Sequence, residues 1–472
     1  MEGKIPFIYP LSSPNGKYIY DVNTNEVVSV SEKVYQALIS ILRKEKFELD
    51  ADIQQEMELI KDMGYLSDKK VEVIEHPTLP FLKTYLDRKV QKMTIQITQG
   101  CNLRCTYCVY SDTENEKQRS HSSKHMSYDM AKQAVDFLLN HSIDCEKVNI
   151  GFYGGEPLLE FELIKKIVLY AEQVFVGKEL DFSITSNGTL LTDEVIEFFI
   201  KHNVQLMISI DGPPEIHNSS RKFAKDGSGS FEVILHNLEK LKLKYPDYIE
   251  KTSISMVVNP QNDYSCINSL FVNYEIFKDM HPTPTIIDDT YSTEKTTFCD
   301  NFIEHRNYQV FLAFLGKLGR IDKKHISPIA QQEVERLDTK IDRMHNYKSL
   351  PGKAAPSGPC IPGQLRLFIN VDGVFYPCER VSETSNVMQI GNLYDGFNYD
   401  KVADLLNIGS ITTNECRNCW AFRHCSLCGK YADGGDKFSG ELKLTHCNAI
   451  RQGLKRDLQN MILLKEINII YQ

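Results

Sequence analysis

The placement of cysteines constrains this chain more than any other feature of its sequence. Ten of the 13 cysteines fall into two clusters, three within residues 101–108 and seven within residues 360–447. In a reducing compartment, clustered cysteines are more often metal ligands or catalytic groups than disulfides. Cys145, Cys266 and Cys299 are scattered, and we interpret them as small buried apolar residues. The chain is therefore expected to fold around metal sites.

Length and charge exclude several classes of protein. The 472 residues correspond to about three domains. The net charge of −9 argues against broad nucleic-acid binding. No apolar run is long enough to span a bilayer, and the N-terminus has no apolar signal-peptide core. We expect a cytoplasmic protein with neither a nucleic-acid nor a membrane partner.

From about residue 88 the apolar pattern alternates between strands and helices. The predicted strands are 92–98, 148–153, 181–185, 206–210, 253–258 and 283–287, and the predicted helices are 128–140, 159–174, 193–201 and 231–243. Such repetition implies a parallel sheet with helices outside it. The loops after the strands carry polar motifs, which favours a partial (β/α)6 TIM-like barrel over an open doubly wound sheet.

Segments with a different composition and apolar pattern flank this α/β unit. Residues 1–78 are predicted to form a small α+β module, with strands at 5–9, 18–22 and 26–30 and a helix capped by Ser31. The barrel is assigned to 88–300 and a polar helical bridge to 301–350. Residues 351–472 are rich in Gly, Pro and Cys, which predicts a separate region organised by metal.

The first cysteine cluster lies in a loop directly after the first barrel strand. Cys101, Cys105 and Cys108 have the spacing C-x3-C-x2-C. Three thiolates in so short a loop can hold three irons of an iron–sulfur cube and leave the fourth iron open. A structural zinc ion normally takes four closed ligands, and no fourth Cys or His lies nearby. Zinc and a redox thiol remain as alternatives to the cube.

This loop, with an aromatic residue before its last cysteine, closely resembles that of the radical S-adenosylmethionine (SAM) enzymes. The resemblance implies a [4Fe–4S] cluster whose open iron is chelated by SAM. It also implies reductive cleavage of SAM to a 5′-deoxyadenosyl radical, which removes a hydrogen atom from the substrate. The electron would come from a low-potential donor such as a ferredoxin or a flavodoxin.

Further motifs at the strand ends agree with this resemblance. Gly154, Gly155 and Glu156 begin a GGEP motif after the second strand, and in the family this motif hydrogen-bonds the SAM amino group. The resemblance makes the polar residues after later strands candidate contacts of the SAM ribose and carboxylate: Ser186, Asn187, Ser209 and Arg221. Each motif has an ordinary alternative, because GGEP, Asn-Gly and Asp-Gly are common turns and a single Arg is usually solvated.

The second cysteine cluster resembles the SPASM extension of peptide-modifying radical SAM enzymes. Twelve residues separate Cys360 from Gly373, four separate Gly373 from Cys378, and a C-x2-C-x5-C-x2-C run follows. The last spacing is one residue shorter than the usual family pattern. The resemblance implies two auxiliary [4Fe–4S] clusters, for a total of three. It assigns one cluster to Cys416, Cys419, Cys425 and Cys447, and the other to Cys360, Cys378 and Cys428.

The second of these groups has only three cysteines, so its cluster is predicted to have an open iron. A substrate thiolate is a suitable ligand for that iron, although Cys299 is an alternative ligand from the chain itself. A pair of zinc ribbons is the alternative for the whole region.

Residues 1–78 resemble the RiPP recognition element, a PqqD-like winged helix that binds the leader of a ribosomally made precursor peptide. Such modules usually add the leader as a strand to their sheet. A winged helix that only packs on the barrel is the alternative.

Together these resemblances imply a radical SAM maturase that installs a thioether cross-link in a Cys-rich precursor peptide. The enzymatic alternatives are a sulfatase-type maturase that makes formylglycine and a maturase that forms carbon–carbon cross-links. The non-enzymatic alternative is a zinc- or cluster-binding carrier of peptides or electrons. No catalytic acid or base is assigned from the sequence.

Overall fold

The computed structural model describes residues 5–47, 50–110, 121–278, 280–292, 295–346, 350–356 and 360–470. The chain begins with a three-stranded antiparallel sheet followed by two helices. These elements, with one short strand and one helix that lead into the next unit, are β1 Ile8–Ser12, β2 Lys17–Asp21, β3 Glu26–Val30, α1 Glu32–Arg43, α2 Ala51–Asp62, β4 Val73–Ile74 and α3 Leu82–Arg88. Ser31 caps α1, since its side chain accepts from the backbone N–H of Val34.

Six parallel strands then alternate with helices and form the central sheet. The strands are β5 Lys92–Thr98, β6 Lys147–Gly154, β7 Glu179–Ser186, β8 Val204–Ser209, β9 Ser253–Val258 and β10 His281–Ile286. The helices are α4 Tyr128–His141, α5 Phe161–Val174, α6 Asp193–Lys201, α7 Pro214–Ser220, α8 Phe231–Lys244, α9 Pro246–Glu250, α10 Tyr264–Asn273 and α11 Glu275–Lys278. The strands lie side by side in chain order, β10 does not pair with β5, and the barrel is therefore incomplete.

The predicted partial barrel is confirmed. The strands at 92–98 and 253–258 have the expected bounds, and the other four differ by one or two residues at each end. The apolar side chains of these strands pack against the helices outside them in one continuous core. The N-terminal module departs further from expectation, because its first strand begins three residues later than predicted, at Ile8.

Two long helices follow the barrel, and the remaining elements are short apart from the last helix. They are α12 Asp300–Lys317, α13 Pro328–Asn346, β11 Lys353–Ala354, β12 Leu367–Ile369, β13 Val374–Tyr376, β14 Gly391–Asn392, β15 Gly396–Phe397, α14 Tyr399–Leu406, α15 Thr413–Arg417, α16 Gly440–Thr445 and α17 Cys447–Ile470. Strand β12 pairs in parallel with β5, and β13 to β15 continue the same sheet as antiparallel neighbours. The cysteine-rich segment therefore extends the barrel sheet beyond β5.

The N-terminal module is packed onto the C-terminal segment. The Tyr9 ring stacks on Trp420 with the centroids 3.7 Å apart. Glu466 of α17 accepts a hydrogen bond of 2.6 Å from the Tyr18 hydroxyl, and Tyr20 lies in the core that α13 and α17 share. The other face of the β1–β3 sheet packs on α1 and α2. Both faces of the small sheet are thus covered.

Within the part of the chain that the structure describes, no helix is long and apolar enough to cross a membrane.

Candidate active site

The first cysteine cluster occupies the loop at the carboxyl end of β5. Burial raises the pKa of the Cys101 thiol to about 11 and that of Cys105 to about 12, and the nearby Cys108 raises both pKa values further. The three sulfurs are therefore close enough to interact electrostatically. A bound metal deprotonates its thiol ligands outright, so this donor set of one buried and two half-buried thiols fits a cluster that supplies positive charge.

The GGEP loop lies directly against the cysteine loop. The backbone N–H of Gly155 donates to the Thr98 carbonyl, and that of Glu156 donates to the Gly100 carbonyl, both at 2.9 Å. A Cβ at Gly155 would lie 2.0 Å from the Gly100 oxygen, and no side chain is tolerated at that distance. Gly154 has φ of 144°, a conformation that favours glycine. The two glycines therefore allow the two loops to pack backbone against backbone.

The Glu156 carboxylate lies at the centre of a hydrogen-bond network that connects the carboxyl ends of β5, β6 and β7. Its carboxylate is 1% exposed and accepts hydrogen bonds from Ser186 Oγ at 2.8 Å, Asn187 N at 2.7 Å and Leu158 N at 3.0 Å. The side-chain amide of Asn187 in turn donates to Asn102 Oδ1 in the cysteine loop at 2.8 Å. One network of backbone and side-chain contacts around the Glu156 carboxylate therefore joins four other candidate SAM contacts to the cysteine loop: Gly154, Gly155, Ser186 and Asn187.

Arg221 forms a buried ion pair within the chain. Its Nε and Nη2 donate to the two carboxylate oxygens of Asp211 at 2.9 and 3.2 Å, and both residues are buried. The Arg221 guanidinium also lies 5.5 Å from the centroid of the Tyr107 ring, and the Tyr107 hydroxyl donates to Asp211. The charge of Arg221 is therefore matched within the chain, and the pair holds the cysteine loop against the end of β8.

Asp211 is the site residue that sequence reasoning missed. Asp211 precedes a glycine, a pair that is also common in turns, but its carboxylate is 2% exposed and also accepts from Val257 N at 3.0 Å. The sequence signal that could have identified Asp211 is its position, two residues after the end of β8 and ten residues before Arg221. Ser209, the last residue of β8, is 8% exposed and lies opposite Ser255 of β9.

His217, which lies beside the Asp211–Arg221 pair, makes the folding stability depend on pH. Its ring is fully buried, with Nε2 at 2.9 Å from Ser230 Oγ, and burial followed by the nearby Arg221 lowers its pKa to about 3. The unfolded chain has the ordinary histidine pKa of about 6.5, so it binds the proton first as the pH falls, and folding stability decreases.

We expect the free energy of unfolding to fall by about 1.4 kcal/mol between pH 7.5 and 5.5 through His217 alone. The variant His217→Gln keeps an amide for Ser230 and should lack this part of the slope. Urea unfolding of both proteins at the two pH values measures the difference. Equal slopes would contradict the assignment.

The C-terminal cysteines separate into two groups in space. Cys360, Cys378 and Cys428 interact with one another electrostatically, and burial is the largest cause of the raised pKa at Cys360 and Cys378, reaching about 12 at Cys378. Glu379, next to Cys378, forms an ion pair with Arg366, with Oε1 and Nη1 3.0 Å apart, and Arg366 directly precedes β12. Because Leu367 pairs with Met93, this three-thiol group lies towards the amino end of β5, opposite the cysteine loop. The seven residues of β5 span roughly 20 Å.

The other group lines a cavity of ≈ 270 Å³, with all four of its cysteines in the wall: Cys416, Cys419, Cys425 and Cys447. Four thiols around one cavity form the donor set that an iron–sulfur cube takes. Within the described residues, no three Cys, His, Asp or Glu side chains converge closely enough to hold a single metal ion.

The three scattered cysteines lie apart from these groups. Cys145 is buried, as expected, but Cys266 is exposed on α10, so the interpretation of this residue as a buried apolar one was wrong. Cys299 caps α12, since its Sγ accepts from Phe302 N at 3.3 Å, and it lies 3.9 Å from the Asn262 carbonyl oxygen. Its sulfur is thus engaged at the start of a helix.

Comparison with known proteins agrees with this site. Residues 95–270 match the family model of the radical SAM superfamily. The chain is 26% identical over 363 residues to the radical SAM cyclopropyl synthase TigE of Paramaledivibacter caminithermalis, covering 75% of this chain and 71% of that protein. It is 25% identical over 368 residues to a cysteine-type anaerobic sulfatase-maturating enzyme of Clostridium perfringens, covering 75% of this chain and 92% of that enzyme.

The fold is also that of a solved relative. The structure of native anSMEcpe with bound AdoMet matches with a TM-score of 0.57 and 21% identity, covering 78% of this chain and 99% of that chain. A second structure of the same protein, with AdoMet and the Cp18Cys peptide, has the same TM-score of 0.57. The barrel, the cysteine loop at its strand end and the family match together identify residues 95–270 as a radical SAM domain, and such a domain implies a [4Fe–4S] cluster and SAM.

Proposed function

We propose that this enzyme is a peptide maturase that joins a cysteine sulfur of its substrate to a carbon atom by a thioether bond. The observation that carries the proposal is the division of the C-terminal cysteines into a group of four and a group of three. In the proposal each group holds an auxiliary [4Fe–4S] cluster. The three-thiol group leaves one iron for the substrate thiolate.

The surroundings of the three-thiol group support an open position. Its alternative fourth ligand, Cys299, has its sulfur at the N-terminus of α12. The half-buried Tyr291 lies near Cys378, and its hydroxyl donates to Asp433 at 2.8 Å. A substrate thiolate bound here would be separated from the cysteine loop by about the length of β5, roughly 20 Å.

The first cluster site is assigned to the loop of Cys101, Cys105 and Cys108, with SAM beside the GGEP motif. When bound, the cofactors supply the radical that takes a hydrogen atom from carbon and accept the single electron released as the carbon–sulfur bond forms, while the thiol proton passes to solvent. The chain's own part is to bind and orient the peptide and to exclude water. Gly154, Gly155 and Glu156 keep the SAM side of the barrel rigid through their contacts with the cysteine loop.

The N-terminal module is proposed to capture the leader of the precursor peptide. Among the described residues, β3 pairs only with β2, and both faces of the sheet are covered. The sheet has two edge strands, and because β1 contacts α17, we assign strand addition to the open edge of β3. Deleting residues 1–78 is a poor test, because the module shares a core with α13 and α17.

Two adjacent proline substitutions provide a sharper test. Along an edge strand, successive backbone N–H groups point alternately to the neighbouring strand and to the open edge. Of Val28→Pro and Ser29→Pro, one therefore breaks a β2–β3 bond and the other blocks only the edge. The variant that retains its melting temperature should bind a fluorescent leader peptide at least tenfold more weakly, a loss of about 1.4 kcal/mol. Unchanged affinity in that variant would argue against strand addition.

Formylglycine formation is the second candidate function, and the similarity to the sulfatase-maturating enzyme supports it comparably. Carbon–carbon bond formation is a third, supported by the similarity to the cyclopropyl synthase. One experiment separates them: anaerobic incubation of the reconstituted enzyme with SAM, reductant and the precursor peptide encoded beside it, followed by mass spectrometry. A thioether removes two hydrogens and one alkylatable thiol. A carbon–carbon link leaves every thiol alkylatable, and formylglycine gives an aldehyde that reacts with hydrazides.

A further inference from the structure

We propose that Lys443 raises the reduction potential of the cluster at the four-thiol group and so makes this cluster the one-electron acceptor of the enzyme. The inference rests on the proposed function in one respect, namely that Cys416, Cys419, Cys425 and Cys447 hold an iron–sulfur cube. It adds a role for a lysine that the cysteine motif does not contain.

The side chain of Lys443 is built into the cavity wall. The residue lies in α16 and is only 2% exposed. Its Nζ donates to Thr412 Oγ1 at 2.5 Å and to Cys416 Sγ at 3.3 Å. Thr412 Oγ1 is itself 3.3 Å from the same sulfur. A buried ammonium is costly unless something of opposite charge compensates it.

The protein supplies little of that compensation. Among the salt bridges of the described residues, none involves Lys443. Glu415 also lines the cavity but is exposed, so water screens it, and Arg451 adds a second cation. Burial raises the pKa of Cys447, and Lys443 and Arg451 oppose that rise. Anionic sulfur is thus the compensating charge that the site offers to Lys443.

The three-thiol group has the opposite surroundings. After burial, the carboxylate of Glu379 is the next cause that raises the pKa of Cys378. The cations nearby are paired with carboxylates: Arg366 and Arg380 with Glu379, and the buried Lys430, two residues after Cys428, with Asp288. No buried ammonium donates to a sulfur of this group among the hydrogen bonds of the described residues. The two auxiliary sites therefore differ in charge, although their thiol ligands are alike.

The difference in charge between the two auxiliary sites affects how easily a cluster at each site is reduced. Adding one electron to a cube adds one negative charge, and a neighbouring cation or an N–H···S hydrogen bond stabilises the product more than the reactant. Lys443 supplies both in a buried site, where electrostatic interactions are screened least. The electron released by the substrate then has a favourable final site, from which an oxidised ferredoxin or flavodoxin removes it.

The test is a redox titration followed by electron paramagnetic resonance. The full chain is reconstituted anaerobically in a Cys101→Ala/Cys105→Ala/Cys108→Ala background, so that only auxiliary clusters contribute signals. Lys443→Met should lower the equilibrium constant for one-electron reduction of one cluster at least tenfold. Its reduction potential then falls by about 59 mV or more. Lys443→Arg keeps the charge and should restore the potential. Lys437→Met removes an exposed lysine and should change nothing.

Each outcome decides between the proposal and its premise. Lys443→Met with full iron and an unchanged potential overturns the role of Lys443 and leaves the cluster in place. Should that variant lose iron, Thr412→Val decides, because it removes the hydroxyl that positions Nζ and must also lower the potential. Cys447→Ala should lower the iron content by about four per chain. Unchanged iron there would overturn the cluster assignment itself.

Discussion

Replacing Cys101, Cys105 and Cys108 with alanine is expected to abolish SAM cleavage and peptide modification while the fold persists. The three thiols lie in one loop at the carboxyl end of β5 and are the proposed ligands of the cluster that binds SAM. Losing the reactive cofactor forfeits a rate enhancement of at least about 10⁶-fold. Release of 5′-deoxyadenosine, followed by chromatography, measures the effect, and iron should fall from about 12 to about 8 per chain.

Cys145→Ala is the matched control. Cys145 is buried in the barrel core outside every cysteine group, so its replacement should cost stability without changing the iron content. Peptide processing that survived the triple replacement would contradict the assignment of the cysteine loop. It would also remove the basis for SAM binding beside the GGEP motif.

Gly155→Ala is expected to have the second largest effect, and to act through the backbone. The added Cβ would lie 2.0 Å from the Gly100 oxygen and 3.1 Å from the Cys101 Cβ. Neither loop can yield alone, because Glu156 N donates to that same Gly100 oxygen. We expect a loss of about 3 kcal/mol in the free energy of unfolding and loss of the iron held by the cysteine loop. Urea unfolding and iron analysis measure the two effects.

Gly453→Ala is the control for Gly155→Ala. Gly453 lies within α17 with no atom within 4 Å of an added Cβ, so alanine there should be neutral or should stabilise the helix by up to about 1 kcal/mol. If Gly155→Ala retained wild-type stability and iron content, the packing of the two loops would not be what positions the first cluster.

The predictions that succeeded rest on local pattern. Alternating apolar runs predicted six parallel strands, because a strand buried on both faces needs a continuous apolar segment, and those strands are present. The spacing in the cysteine loop needs no tertiary information, since three ligands within eight residues meet wherever the loop folds. Glu156 and Asn187 lie together for a similar reason, because the ends of parallel strands lie at one edge of a sheet, while their contact with SAM stays a prediction.

The predictions that fell short concern partners far away in the chain. The role of Asp211 depends on Arg221 and Tyr107, which approach it from two other loops. Lys443 reaches Cys416 across 27 residues, and a single lysine in a polar segment carries no signal of burial. Cys266 faces solvent although cysteine is usually buried.

Periodicity and the spacing of ligands close together in the chain were sufficient to predict the barrel and the cysteine loop, and the resemblance of that loop to those of radical SAM enzymes implied the chemistry. Only the tertiary structure decided that the cysteine-rich segment continues the barrel sheet through β12 and that the N-terminal module is packed against α17. It also decided which charges neighbour each cysteine group. Burial and charge pairing arise from residues far apart in sequence, and the order of residues along the chain does not contain their distances.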